Sequence, residues 1–193
     1  MSEQGAPPAA DQTPTDATLR DAVLAGDRTA FTELYEQHGE KVWNYAYRLT
    51  GSWTEADELL SVVFLTAWRR RQDLRLVSGS ALPWLYVVTG NVCRSERRRV
   101  ARLFTALPRL LGREASDHAE RVVERDAAAA RLVRVLAAVD QLPRALREAV
   151  QLCLLGGTSA EDAAQILGIT VHSVQSRLSR ARARLHRSVP EEQ

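Results

Sequence analysis

The sequence predicts an all-α protein of two small helical domains joined by a flexible linker, with a helix-turn-helix in the second domain. Apolar residues recur at helical spacing from about Leu19 onward, and the alternation typical of strands is absent. All four Trp and all four Tyr lie between residues 35 and 86. This uneven distribution predicts two separate cores of different composition, for which 193 residues are enough.

Composition sets the expected domain boundaries. Residues 1–18 are rich in Pro, Ala, Thr and Gln, which predicts a disordered tail. Residues 19–99 hold the aromatic side chains and form the first domain. Residues 100–130 carry a short apolar stretch and then a charged, Ala-rich run, which indicates a linker. The second domain is expected over residues 131–188, followed by a short tail over residues 189–193.

Capping signals place two helices of the first domain. Ser52 with Glu55 forms a capping box ahead of a helix over about residues 55–71. Pro83 suits the first turn of a helix over about residues 82–99. The first domain is therefore expected to consist of helices.

The clearest pattern in the second domain predicts a helix-turn-helix. Thr158 with Glu161 forms a capping box, and a helix follows as far as Leu167. Gly168 supplies the left-handed turn that a tight connection between two helices needs. A second helix is expected to begin near His172.

The second helix of this motif has one apolar face, and the rest of its surface lacks acids. The residues expected to pack are Val174, Leu178, Ala181 and Leu185, which share a face at 3.6 residues per turn. The residues expected to contact DNA carry hydroxyl, amide or guanidinium groups: Ser173, Gln175, Ser176, Arg177, Ser179, Arg180 and Arg184. Residues 163–190 contain no Asp or Glu. Such a helix is typical of major-groove binding, although an αα-hairpin with a basic solvated face gives the same pattern.

Charge is nearly balanced overall but clustered along the chain. The net charge is +2, yet Arg residues concentrate over residues 69–71, 94–102 and 177–187. Local basic faces on a nearly neutral chain indicate a polyanion that is bound in places rather than wrapped. Arg-rich helix surfaces that only face solvent are the alternative interpretation.

Other patterns exclude several classes of function. Cys93 and Cys153 are far apart and fall in helical apolar patterns, so we expect neither a disulfide nor a metal site. The four His are scattered, and no Gly-rich phosphate loop or activated nucleophile occurs, so we expect no cofactor and no enzyme activity. The N-terminus lacks a signal-peptide pattern and no run of about 18 apolar residues occurs, which predicts a cytoplasmic protein without membrane insertion.

Several motifs, taken in order, resemble those of extracytoplasmic-function sigma factors, the minimal branch of the sigma-70 superfamily. Residues 56–59 (ADEL) and 63–68 (VFLTAW) are similar to the family's polymerase-binding helix. Residues 83–99, with PWL, Asn91 and a run of three Arg, are similar to its promoter-melting segment. Residues 166–182 (ILGI, then VQSRLSRAR), after a Leu-Pro pair, are close to the signature of its fourth conserved region.

The resemblance implies partners and site residues. Family members bind core RNA polymerase, recognise the minus-ten and minus-thirty-five elements of promoter DNA, and are often held inactive by an anti-sigma factor. The residues implied for polymerase binding are Asp57, Glu58, Leu59, Phe64 and Trp68. Those implied for minus-ten binding and melting are Trp84, Asn91, Arg94, Arg97, Arg98 and Arg99. The second helix of the helix-turn-helix would then contact the minus-thirty-five element.

The sequence departs from the family pattern in the polymerase-binding helix. The family usually carries Gln and Glu where Ser61 and Val62 stand, so this chain is expected to make fewer polar contacts there.

Two alternatives remain open at this point. The first is an ordinary helix-turn-helix regulator whose aromatic domain dimerises or senses a ligand. The second concerns the four Trp, which either pack in the core or stack on unpaired bases: Trp43, Trp53, Trp68 and Trp84.

Overall fold

The computed structural model describes residues 14–111 and 127–188, and this part of the chain is α-helical. Its eight helices are α1 (Asp16–Ala25), α2 (Arg28–Thr50), α3 (Trp53–Arg69), α4 (Leu82–Leu111), α5 (Ala127–Asp140), α6 (Arg144–Val150), α7 (Ala160–Leu167) and α8 (Val171–Ser188). Extended pairing within these residues is confined to one bridge, between Val77 and Ser80. None of the described helices combines the length and the apolar character that crossing a bilayer requires. The predicted all-α class is confirmed.

Helices α1 to α4 pack around an apolar core. Val42 and Tyr45 of α2, Val63 of α3 and Leu85 of α4 are completely buried. Apolar positions recur three and four residues apart, so each helix turns one face inward. Gly51 ends α2 with a left-handed φ of 71°, which lets the chain reverse into α3.

A buried carboxylate ties α1 to the loop before α4. Asp16 is 8 % exposed and its carboxylate lies 2.8 Å from His38 Nε2. It accepts hydrogen bonds from the Ala81 backbone N–H at 2.7 Å and from Ser80 Oγ at 3.2 Å. Burial by itself raises the pKa of Asp16, but the hydrogen bonds from His38 and Ala81 outweigh it and hold the pKa below its ordinary value.

Helix α1 begins inside the segment that was predicted to be the N-terminal tail. The tail was expected over residues 1–18, whereas α1 begins at Asp16 and the Thr15 side chain accepts a hydrogen bond from the Thr18 N–H. The reason is that Asp16 finds long-range partners, which local composition does not reveal. Residues 1–13 of the expected tail lie outside the described residues.

Replacing Asp16 with Asn should lower the free energy of unfolding by roughly 1.5–3 kcal/mol at pH 7, because it removes a buried, charged hydrogen-bond acceptor. The folded-state pKa of Asp16 is lowered, so its stabilisation is present above pH 3.8 and is lost as the pH falls through the folded-state pKa. Urea denaturation at pH 7 and at pH 3 measures both effects, and the difference between parent and variant should shrink at pH 3. Asp21→Asn, at an exposed position of the same helix, is the control. Equal stability of parent and Asp16→Asn at pH 7 would contradict this role.

The linker is shorter than composition predicted. α4 continues past the expected end at residue 99 to Leu111, and α5 begins at Ala127. Ala, Leu and Arg dominate residues 100–111 and favour the helix. Both ends of the expected linker over residues 100–130 are therefore helical, and residues 112–126 lie outside the described part.

Helices α5 to α8 form a second group with a small cluster of its own, made of Val139, Leu142, Leu146, Val150 and Ala181. α6 is followed by a π-helical turn, Gln151–Leu155, in which the Gly156 N–H donates to the Gln151 carbonyl at 2.8 Å. Single π-turns are frequent at functional sites. We define this segment as the π-turn.

The two helical groups share a continuous core instead of the two separate cores that were expected. Leu152 of the π-turn, Ala163 and Ala164 of α7, and Val174 of α8 belong to the same buried cluster as the residues of α1 to α4. Gly156 lies so close to this surface that a Cβ there would be 2.9 Å from the Tyr86 ring. The π-turn and α7 thus present apolar surface on their outer side, and α2 and α4 cover it.

Candidate nucleic-acid and polymerase interfaces

The helix-turn-helix begins one residue later than predicted. Ser159 is the N-cap of α7, and its side chain accepts a hydrogen bond from the Asp162 N–H at 3.0 Å. The capping box was expected at Thr158. Gly168 ends α7 as predicted, with a left-handed φ of 66°.

The apolar face of α8 packs as predicted. α8 begins at Val171, just ahead of the expected start at His172, and Thr170 Oγ1 accepts a hydrogen bond from the Ser173 N–H at 3.2 Å. The four residues expected to pack are buried or half-buried: Val174, Leu178, Ala181 and Leu185. This packing fixes which side of the helix faces outward.

The outward side of α8 is basic and accessible. Four of the residues expected to contact DNA are exposed, namely Gln175, Ser179, Arg180 and Arg184, and three are half-buried, namely Ser173, Ser176 and Arg177. Among the residues that the structure describes, no Arg of α8 forms an ion pair. Their guanidinium groups are therefore available to phosphates or base edges.

The Arg cluster of α4 lies at the junction between the two helical groups. Arg97 forms an ion pair with Asp140 at the end of α5 and donates a hydrogen bond to the Leu49 carbonyl at 2.5 Å. Arg99 pairs with Glu96 at 2.8 Å, and Arg98 is exposed. The Arg97 guanidinium is thus already engaged by protein groups.

The second helical group covers more of this surface. Arg147 of α6 is buried and donates to the carbonyls of Asp140 at 2.7 Å and Leu142 at 3.0 Å. Burial lowers the pKa of Arg147, and the nearby Arg94 lowers it further, while Asp140 raises it. Arg94 therefore lies close to a like charge across the junction.

Two other residues expected at the minus-ten site are also withdrawn from solvent. Asn91 is half-buried and lines a crevice with Gln151 and Leu152 of the π-turn. Trp84 is 5 % exposed and belongs to the core, so in this arrangement it cannot stack on a base. Its contact with DNA stays a prediction.

The residues expected to bind polymerase divide into an exposed and a buried set. Asp57 and Glu58 of α3 are exposed, and Trp68 is half-buried. Leu59 is 6 % exposed and Phe64 is 5 % exposed. In this structure Leu59 and Phe64 pack in the apolar core and anchor α3 to the other helices. Direct contact of any of the five residues with polymerase stays a prediction.

The helices α3 and α4 carry exposed apolar residues that the sequence interpretation missed, and two of these residues line a groove between the helices. Val62 is 37 % exposed, Leu65 is 49 % exposed, and Val100 of α4 is 43 % exposed. Val62 and Val100 border the groove, whose volume is about 590 Å³, and Glu58 and Arg99 lie on its rim. The signal was available, because Glu58, Val62, Leu65 and Arg69 recur at helical spacing on the face opposite the buried Val63.

Comparison with known proteins assigns both helical groups to one family. The family model Sigma-70 region 2 matches residues 34–103, and the model Sigma-70, region 4 matches residues 132–185. The chain is 33 % identical over 174 residues to the ECF RNA polymerase sigma factor SigM of Mycobacterium tuberculosis (strain ATCC 25618 / H37Rv), covering 90 % of this chain and 84 % of SigM. The chain belongs to the sigma-70 family, in its extracytoplasmic-function group.

Two further similarities span most of this sigma factor. It is 33 % identical over 178 residues to the ECF RNA polymerase sigma factor SigE of Mycolicibacterium smegmatis (strain ATCC 700084 / mc(2)155), and the match covers 89 % of this chain but only 66 % of SigE. Among solved structures, CnrH in complex with the cytosolic domain of CnrY superposes with a TM-score of 0.57 at 25 % identity, covering 92 % of this chain and 99 % of CnrH.

The matched ranges assign the helices of this sigma factor to its two regions. Region 2 contains most of α2, all of α3 and most of α4, and region 4 contains α5 from residue 132 together with α6, α7 and most of α8. The helix α1 and the carboxylate of Asp16 precede the region 2 match.

The sigma factor's cysteines are both free thiols. Burial raises the pKa of the Cys93 thiol to about 11, so this thiol is protonated at neutral pH. The described residues contain no group of His, Cys, Asp and Glu that could hold a metal ion.

Proposed function

We propose that this sigma factor binds core RNA polymerase, directs it to particular promoters and promotes melting of the promoter DNA. The observation that carries the proposal is that one chain holds a basic side on α8, an Arg cluster on α4 and a groove between α3 and α4 that shares Arg97 and Arg99 with this cluster. The basic side of α8 and the Arg cluster of α4 suit DNA, and the groove between α3 and α4 suits a protein. An ordinary regulator needs one DNA-binding surface, and the second basic surface in region 2 has no role in that interpretation.

Each surface has an assigned role. The basic side of α8 lies in the major groove of the minus-thirty-five element, where Arg can read guanine edges or pair with phosphates. In region 2, Asn91, Arg94 and Arg97 to Arg99 hold the minus-ten strand by its backbone once region 4 moves away from them. Trp84 joins them only if the core around it rearranges, because it is buried here.

Run-off transcription tests the function directly. The purified full chain is added to core polymerase on a set of genomic promoter fragments, and transcripts are mapped to their start sites. A sigma factor gives promoter-dependent starts and co-purifies with core enzyme. Sequence-specific DNA binding without either result would support the ordinary regulator with a dimerising or sensing domain.

Glu58→Lys should weaken the complex with core polymerase. We propose that α3 and its groove contact a basic surface of the polymerase. A Lys at this exposed position would then place a positive charge against a positive surface. Loss of a rim contact of this kind is expected to cost about tenfold in affinity. Co-purification and fluorescence titration with core enzyme measure it.

The control for this charge reversal is Glu36→Lys, at an exposed position on α2. Glu36→Lys should leave the affinity for polymerase within twofold of the parent. Equal affinities for the parent and Glu58→Lys would remove Glu58 from the polymerase surface.

The proposal also covers location, regulation and chemistry. The protein acts where core polymerase is, in the cytoplasm, and it acts by binding and not by catalysis. We expect an anti-sigma factor to hold it inactive, and the similarity to CnrH, whose structure was solved with the cytosolic domain of CnrY, supports such a partner.

A further inference from the structure

A two-residue turn before α4 carries an exposed serine in an unusual backbone conformation. The Val77 N–H donates to the Ser80 carbonyl and the Ser80 N–H to the Val77 carbonyl, both at 2.9 Å, so that Ser78 and Gly79 form the tip. Both tip residues are exposed and have positive φ, 50° for Ser78 and 77° for Gly79. Within the part of the chain that the structure describes, Ser78 is the one residue other than glycine with positive φ. We call residues 77–80 the serine turn.

Ser78 contacts region 4 across the junction between the two helical groups. Its Oγ donates a hydrogen bond of 2.5 Å to the carboxylate of Asp162, in the first turn of α7. Glu161, the other acid of that turn, precedes Asp162 in the chain and is exposed. The contact therefore places a hydroxyl of region 2 against an acidic end of region 4.

Neither the turn nor this hydrogen bond requires a serine. Positive φ at both central positions of a two-residue turn favours Asn, Asp or Gly, and a Ser there carries a backbone cost. An Asn side chain would adopt the turn more readily, and its amide could donate the same hydrogen bond to Asp162. A hydroxyl differs from that amide in its chemistry, because it can accept a phosphoryl group.

The residues around the serine turn suit a kinase that recognises basic substrates. Arg75 is exposed, lies three residues before Ser78 and forms no ion pair in the described part of the chain. Kinases select substrates by the pattern of charges near the target, and an exposed turn can enter a catalytic cleft. Ser95 is also exposed, but it lies inside α4 and has Val92 three residues before it.

We propose that Ser78 is a phosphorylation site and that its phosphate separates α7 from the serine turn. The kinase transfers the γ-phosphoryl group of ATP: a bond forms between Ser78 Oγ and the γ-phosphorus, the bond from that phosphorus to the β-phosphate oxygen breaks, and ADP leaves. The hydroxyl proton passes to a base of the kinase. Ser78 is free for this transfer when α7 moves away, and the phosphate then opposes the return of α7.

Charge is the reason for the expected separation. A phosphoserine carries about −1.5 to −2 charges at pH 7, and its Oγ no longer has a proton to donate to Asp162. The N-terminus of α7 carries the equivalent of about +0.5 charge, which Glu161 and Asp162 together already outweigh. Phosphorylation thus replaces a hydrogen bond with repulsion between like charges. The inference goes beyond the proposed function, because it adds covalent control of the contact between regions 2 and 4 and depends on no DNA contact.

The first test is phosphorylation of the full chain by a purified serine kinase that selects an Arg three residues before its target, with ATP as the donor. Peptide mass spectrometry should place a phosphate on Ser78 and none on Ser95, the matched control. Arg75→Ala should slow the transfer roughly tenfold, through the loss of one charged contact to the kinase. Ser78→Asn should abolish the modification of the serine turn. An unmodified Ser78 in the parent chain would overturn the proposal.

The second test follows hydrogen exchange of the amides of the π-turn, whose Leu152 is buried in the core shared with region 2. Exchange should rise roughly 3- to 30-fold on phosphorylation and in Ser78→Asp, the range expected when one hydrogen bond is lost and one repulsion is added. Ser78→Asn keeps the turn and the donor, so its exchange should stay within about twofold of the parent. Adding Asp162→Asn to Ser78→Asp should return the exchange toward that of the parent, because it removes the repelling carboxylate.

Thermal melts should show every variant folded, and none of these measurements uses polymerase or promoter DNA. Equal exchange in the parent, the phosphorylated chain and Ser78→Asp would overturn the role of the phosphate in separating the two regions. Run-off transcription by the unmodified parent tests the proposed function separately, so the failure of one proposal is distinguishable from the failure of the other.

Discussion

Promoter DNA should bind the free sigma factor weakly and the complex with core polymerase at least roughly 10³-fold more tightly, the usual gap between non-specific and specific binding. The structure supplies the reason. Arg97 is paired with Asp140, and Asn91 lines a crevice with Gln151 and Leu152 of the π-turn, so region 4 covers part of the proposed minus-ten surface. The basic outward side of α8 stays accessible to solvent, but a single DNA-binding surface of this size gives little specificity by itself.

We call the arrangement in which region 4 lies against region 2 the closed arrangement. A few polar contacts stabilise it, in addition to the shared apolar core. Besides the Arg97–Asp140 pair, Ser78 Oγ donates a hydrogen bond to Asp162 of α7 at 2.5 Å. The pair is about one-third exposed on each side, so solvent screens it and its net worth is small. Like charges at the junction, Arg94 beside Arg147, oppose closure. Polymerase therefore has to outweigh mainly the apolar contacts of the π-turn.

Asp140→Asn gives a direct probe of this coupling. It should raise the affinity of the free chain for promoter DNA by about 2- to 10-fold, because Arg97 is released and the closed arrangement is weakened. Glu148→Gln removes the same charge from the same surface, where Glu148 pairs with Arg144 and not with Arg97, and should have a smaller effect. Equal, tight and sequence-specific binding by the free parent chain and by its complex with polymerase would refute the closed state as an inactive one.

Helix capping and periodicity correctly predicted those features of the fold that depend on residues close together in the sequence. Gly168 ends α7, and Val174 and Ala181 turn inward, because these depend on residues a few positions apart. The exposed side of α3 could have been found in the same way from Glu58, Val62 and Leu65, which recur three and four residues apart. The polymerase contacts that the family motif implies include Leu59 and Phe64, which lie on the buried side of α3.

Long-range packing set the features that the sequence did not reveal. Nothing near Asp16 in the sequence announces His38 or Ala81 as its partners. The π-turn changes the hydrogen-bond pattern at the end of α6, and no local sequence signal predicts it. It also brings Gln151 close to Gly90 of α4, since a Cβ added at Gly90 would lie 3.0 Å from Gln151 Oε1. Two cores were inferred from the distribution of Trp and Tyr, but small apolar residues of α7 complete the aromatic core without adding any ring.

Arg177→Ala and Arg180→Ala should each cost roughly 1–3 kcal/mol of promoter binding by the complex with polymerase, about 5- to 150-fold in affinity, if each reads a base. Arg180 is exposed and its Nε donates to the Ser176 carbonyl at 3.3 Å, which aims the guanidinium along the outer side of α8. Arg177 is half-buried one turn earlier, so packing already restricts its rotamers and less entropy is lost on binding.

Competition with promoter fragments altered at single positions separates the two possible roles of these Arg residues. Loss of a base contact relaxes the preference at one position, whereas loss of a phosphate contact weakens all fragments alike and lowers the salt slope by about 1. Arg182→Ala is the matched control, because Arg182 is an exposed Arg of α8 on the opposite flank of the helix. If both variants bind and transcribe like the parent and like Arg182→Ala, the outward side of α8 does not read the minus-thirty-five element.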